Sequence, residues 1–165
     1  MTELSINQGR ILRNLMRLLE VTCGHSLYEL FPRGVKVWLP EPGQGVFPDL
    51  IVVAGEPLLH QGQGNRLLNP CLLFEIVGAP SSGDRATPCS DQPSLFSRCQ
   101  GIPYLQAYVF VYASEVRVEQ FYRAEEHLWG MTRQTGLDTV VELAITNARL
   151  PMMDIYDRVE FDWLN

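Results

Sequence analysis

Two short apolar runs, each carrying one acid, constrain this chain more than any other feature. One is Phe47-Pro48-Asp49-Leu50-Ile51-Val52-Val53; the other is Cys71-Leu72-Leu73-Phe74-Glu75-Ile76-Val77. Runs of this length and composition read as buried β-strands. An ionised acid inside such a run is costly unless it is paired or bound to a metal. Asp49 opens its strand and Glu75 lies near the end of its own, so both can also be solvated strand termini. Together on neighbouring strands they could hold a divalent ion. The usual third member of such a site is a lysine close by. The single lysine of the chain, Lys36, precedes the Pro48-Asp49 pair, and none follows it.

The surrounding pattern supplies the rest of the fold. Ser5 to about Thr22 reads as an amphipathic helix, with Ile6, Ile11, Leu15, Leu18 and Leu19 near helical spacing and Arg10, Arg13 and Arg17 on other faces. Ser5 is its expected N-cap and Gly24 its stop. Leu27–Phe31 and Val35–Leu39 read as strands around a Pro32-Arg33-Gly34 turn, followed by a loop over Pro40–Gly45. The segments from Gly55 to Pro70 and from Gly78 to Pro93 read as long connections. A short helix is expected over about Ser94–Gln100. Leu105–Ala113 and Glu115–Arg123 read as an antiparallel pair, His127–Arg133 and Thr139–Ala144 as further strands, and Met152–Val159 as a closing helical turn. Helix, strands, helix, strands imply an α/β or α+β class with a mixed sheet flanked by helices.

Composition bounds the function. With 165 residues and 46% apolar content, one domain is expected over 1–165, with a core large enough to need no staples. A net charge of -6 argues against a surface that grips nucleic acid through bulk charge alone. It does not argue against a nuclease, because Mg²⁺ can supply the positive charge. No apolar run is long enough to span a membrane, and the N-terminus lacks the pattern of a signal peptide, so a cytoplasmic location is expected. Cys23, Cys71, Cys89 and Cys99 form no Cys-x-x-Cys pair and read as small buried or incidental thiols.

Hard oxygen ligands suit Mg²⁺, so Asp49, Glu75 and the backbone carbonyl of Ile76 form the expected metal-ligand set. His25, His60 and His127 lack partners at ligand or triad spacing and read as structural or exposed. Ser81-Ser82-Gly83 offers an anion nest or a plain turn.

Four segments, in order, resemble the bacterial family of restriction-endonuclease-like proteins within the PD-(D/E)XK nuclease superfamily. They are Ser5–Ile11, Phe47–Val53, Asn69–Val77 and Gly101–Val111. The resemblance implies a restriction-endonuclease-like fold, a Mg²⁺-dependent DNA endonuclease activity and a homodimer. It also implies a lysine on the helix before Ile102-Pro103, a place that alignment through Phe96 gives to Leu95. Leucine supplies no charge to a transition state, which implies a degenerate site. Arg98, one helical turn on, and Arg85 are the candidate replacements; a solvated helix face is the alternative for Arg98. Two further departures are Gln8, where the family often has His, and Gly78, where it often has Ser. The competing reading is a non-catalytic homo-oligomeric domain on the same fold that binds nucleic acid or a protein.

Overall fold

The computed structural model describes residues 3–24, 27–79 and 91–162, with side chains from 94 onward in the last stretch. Helix α1 spans Ile6–Cys23. Ser5 caps it through a reciprocal box with Gln8: Ser5 Oγ accepts from the Gln8 amide at 3.2 Å, and Gln8 Oε1 accepts from the Ser5 amide at 2.9 Å. Ile11, Leu15, Leu19 and Cys23 recur every fourth residue and are buried. Ile6 departs from the expected stripe and is exposed, because it lies in the first turn, before the helix meets the sheet.

The main sheet has six strands in the order β1-β4-β5-β6-β7-β8. These are β1 Tyr28–Pro32, β4 Leu50–Ala54, β5 Pro70–Val77, β6 Ala107–Tyr112, β7 Arg117–Glu125 and β8 Leu128–Thr135. Among the described strands of this sheet only β5 and β6 run parallel, and their crossover carries helix α2, Asp91–Cys99. The remaining neighbours are antiparallel, so the sheet is mixed. The architecture is the restriction-endonuclease-like α/β arrangement.

Apolar side chains cover both faces of the central strands. One face packs Leu50, Val52, Leu72, Phe74 and Ile76 against α1 and the C-terminal turn α3, Met152–Ile155. The other packs Ile51, Val53, Leu73, Tyr108 and Phe110 against Cys99 and Ile102 and against Val37, Leu39 and Val46. Asn14 is fully buried in α1 and donates to the carbonyls of Ile155 (3.0 Å) and Asp157 (2.9 Å), which fastens α3 to the helix.

The structure differs from the sequence pattern in several places. The strands flanking Pro32–Gly34 do not pair with each other. β1 joins the main sheet through β4, while β2, Val37–Leu39, forms a hairpin with β3, Gln44–Val46. Gln44 and Gly45 thus belong to a strand rather than to the Pro40–Gly45 loop. Gly45 is required there: a Cβ would come within 2.5 Å of Lys36 Cδ, so the lysine stem lies directly across the strand. A further strand, β10 (Arg149–Pro151), pairs with β9 (Val140–Glu142). Helix α2 begins at Asp91, three residues before the expected start. Among the described residues no helix is long and apolar enough to cross a membrane.

Candidate active site

Strand registers set the site. Pro32 faces Leu50 across β1 and β4, and Leu50 faces Phe74 across β4 and β5. Arg33 follows β1 and Asp49 precedes β4. One step along each register therefore brings Arg33, Asp49 and Glu75 to the same level on three successive strands. The Asp49 amide donates to the Phe74 carbonyl at 3.0 Å, extending the ladder to this level.

Asp49 is 1% exposed. Its Oδ2 accepts from the Ile76 amide at 2.7 Å. Its Oδ1 lies 2.9 Å from Arg33 Nε and, beyond that contact, has no hydrogen-bond donor among the described residues. Burial pushes the Asp49 carboxyl above its ordinary range; the Ile76 amide and the Arg33 charge pull the other way without cancelling it. Glu75 accepts from the Tyr108 hydroxyl at 3.3 Å. Burial first, and then the charge of Asp49, push the Glu75 carboxyl up to about 8; Tyr108 and Arg33 moderate the rise. The same burial, reinforced by Glu75, holds the Tyr108 phenol well above its usual range.

Ile76 takes part through both backbone groups. Its amide holds Asp49, and its carbonyl accepts from Gln8 Nε2 at 3.1 Å. The Gln8 amide therefore serves α1 with its oxygen and β5 with its nitrogen. Gly78 leaves room for it, since a Cβ at that position would stand 3.0 Å from Gln8 Nε2. The two departures at Gln8 and Gly78 are thus in contact with one another.

The other sequence candidates fall elsewhere. With the Gln44 amide oxygen turned toward it, Arg98 donates from Nε and Nη2 at 3.1 Å each, and it lines a cleft with Trp38, Leu68 and Tyr104. Spacing along the chain points to Arg98, but among the described residues the cation paired with Asp49 is Arg33. Leu95 is half-buried on α2. Arg10 and Arg17 face Glu160 and Asp157 at 3.4 and 4.0 Å, and Arg13 donates to Asn14 Oδ1, so the arginines of α1 are engaged within the chain. His60 packs on Trp38, and His127 is exposed beside Glu126. Cys23, Cys71 and Cys99 are buried free thiols. Arg85, His25, Cys89 and Ser81–Gly83 lie outside the described residues.

Among the described residues, no three His, Cys, Asp or Glu side chains gather as a metal-binding group. The donors toward a hard cation are two carboxylates and a backbone carbonyl, all oxygen, which fits Mg²⁺ in kind.

A second buried acid had no local sequence signal. Glu119 on β7 accepts from Arg133 Nε and from the Tyr112 hydroxyl, at 2.9 and 3.1 Å, and lies 3.8 Å from Arg117 Nε. In the pattern of β7 it sits on what reads as the polar side of an alternating strand, but the sheet is covered there too.

A model of the Uma2 family, described as "Putative restriction endonuclease", matches residues 1–152. The chain belongs to the Uma2 family. It is also similar to an uncharacterized protein, sll1609, of Synechocystis sp. (strain ATCC 27184 / PCC 6803 / Kazusa), with 28% identity over 140 residues, 85% of this chain and 76% of the relative. A crystal structure from Anabaena variabilis ATCC 29413, described as a putative nuclease belonging to DUF820, superposes with a TM-score of 0.70. That match covers 96% of this chain and 85% of the other at 12% identity, so what the two share is the fold. The link to PD-(D/E)XK-like nucleases is accordingly distant and consistent, carried by the family and the architecture.

Proposed function

We propose that this member of the Uma2 family is a Mg²⁺-dependent DNA endonuclease of the PD-(D/E)XK type with an attenuated site, acting as a homodimer. The observation that carries the reading is the pairing of Asp49 with the Ile76 amide. It ties the first acid to the strand that bears the second acid and the third oxygen donor.

Asp49, Glu75 and the Ile76 carbonyl would hold the ion. When bound, a divalent cation polarises a phosphate oxygen and lowers the pKa of an attacking water. The chain's own residues do the rest. Tyr108 orients the Glu75 carboxyl through its hydroxyl. The Ile76 amide fixes the rotation of Asp49. Leu95 offers neither a charge nor a hydrogen bond at the place of the lysine, and losing a preorganised charge of this kind typically costs about 10²–10³ in rate.

The test is plasmid cleavage with Mg²⁺ and with Mn²⁺, using Asp49→Ala as control. Slow cleavage abolished by Asp49→Ala supports the reading. Cleavage that survives Asp49→Ala rejects this site. The second reading, a non-catalytic domain that binds nucleic acid or a protein, is favoured by the same leucine and gains if DNA binds without metal-dependent cutting.

A further inference from the structure

We infer that Arg33 is the resident cation of the acid pair: it occupies the charge position that a divalent ion would take at Asp49, and it sets how tightly such an ion can bind. The inference rests on the metal-site reading above and adds to it a residue with a competing role.

The geometry is specific. Arg33 Nε stands 2.9 Å from Asp49 Oδ1, the carboxylate oxygen not used by the Ile76 amide. Asp49 is nearly sealed, while the Arg33 side chain keeps about a quarter of its surface in solvent, 26% against 2%. The guanidinium thus sits on the carboxylate oxygen that an ion would need, and it is the more exposed member of the pair. Its position is imposed by the fold, because Arg33 follows Pro32 at the end of β1, directly beside the chain entering β4. Gly34 then turns the chain away with φ +111°, a conformation that suits glycine.

The remaining donors are similarly engaged. Ile76 gives its carbonyl to Gln8 and Glu75 receives Tyr108. Those partners are neutral, so a cation can take their place without charge repulsion. Arg33 is different. An ion and a guanidinium on the same carboxylate oxygen repel each other across a poorly solvated gap, where Coulomb terms are several-fold stronger than in water. Ion binding therefore requires Arg33 to swing outward, and its partial exposure leaves it somewhere to go. Arginine does not shed its proton to relieve the conflict.

The experiment measures Mn²⁺ binding, by loss of the free-ion electron paramagnetic resonance signal, to the wild-type protein, Arg33→Gln, Arg33→Lys, Asp49→Asn and the Arg33→Gln/Asp49→Asn double variant. Arg33→Gln is expected to bind about tenfold more tightly or better than wild type. Arg33→Lys, which keeps the charge, is expected to stay within a few-fold of wild type. The double variant is expected to lose the gain. Equal or weaker binding by Arg33→Gln, with wild type still binding, overturns the competing role and leaves the metal site standing. No binding by any protein overturns both. A gain that persists in the double variant places the ion elsewhere and also overturns it.

If Arg33→Gln does not fold, the wild-type protein suffices. The Arg33 Nε–Hε resonance is followed by NMR during Mg²⁺ addition, and it is expected to move as the ion pair opens. An unmoved resonance, while amides around Glu75 shift, overturns the proposal.

Discussion

The Tyr108 hydroxyl, on β6, donates to Glu75 Oε2 on the neighbouring parallel strand at 3.3 Å. Leu73 is the register partner of Tyr108 and Phe110 that of Glu75, so the phenol reaches diagonally across the pair. The contact ends in a carboxyl that burial keeps protonated near neutrality, with its pKa at about 8. The first prediction depends on that environment.

Stability should fall as pH rises through the window of Glu75. The folded-state pKa, about 8, lies above the ordinary value of 4.5, so the folded state holds the proton more tightly than the unfolded chain does. The resulting stabilisation is complete below about 4.5 and is lost progressively up to about 8, with a slope of at most about 1.4 kcal/mol per pH unit. Urea midpoints measured from pH 5 to pH 8 should decline, and Glu75→Gln should flatten the decline. A wild-type profile as flat as that of Glu75→Gln contradicts this account.

On the proposed nuclease reading, Leu95→Lys should raise metal-dependent DNA cleavage by about tenfold or more, by supplying a charge at the place that the family resemblance gives to a lysine. The gain should disappear when Asp49→Ala is added. A gain that survives Asp49→Ala means that the new lysine acts at some other site.

Asn14→Ala should destabilise the fold by about 1–3 kcal/mol, because it strips donors from two carbonyls that the helix holds against the core. Chemical denaturation measures this directly. Protease nicking near Asp157 should accelerate in parallel, since the C-terminal turn loses its fastening.

Glu119→Ala should cost more stability than Arg133→Ala. Removing the acid takes the 3.8 Å charge partner from Arg117 Nε, a buried group that has no hydrogen-bond acceptor among the described residues, and takes the acceptor from the Tyr112 hydroxyl, whereas removing Arg133, which is half exposed, leaves both contacts in place. Losses of about 2–4 and about 1 kcal/mol are expected. Comparable losses in the two variants refute the ranking.

Features that depend on local pattern were legible in the sequence. The near-helical spacing of Ile11, Leu15, Leu18 and Leu19 marks α1, Ser5 and Gly24 mark its ends, and the apolar flanks of Asp49 and Glu75 mark two buried strands. Arg33 was not legible, because its place beside Asp49 comes from a strand pairing across about twenty residues. Nothing near Pro32 announces which strand β1 will join. The β2–β3 hairpin was hidden for a different reason. Its second strand is the turn-like run Gln44-Gly45-Val46, in which the glycine serves the close approach of Lys36. Glu119 was masked because alternation along β7 suggests one wet face, while Arg117, Tyr112 and Arg133 cover it.

Gln8 joins a helix start to a strand end through one amide group, and this has a dynamic consequence. Fraying the first turn of α1 withdraws Gln8 Nε2 from the Ile76 carbonyl, and opening the end of β5 takes away the anchor that holds the Gln8 side chain in the cap. The two segments are 68 residues apart, yet neither can loosen alone at its usual cost. In native-state hydrogen exchange, the Gln8 and Gly9 amides should open as one cooperative unit with the amides at the Glu75–Val77 end of β5. Any partner that grips the start of α1 would then quieten the acid-bearing strand without touching it.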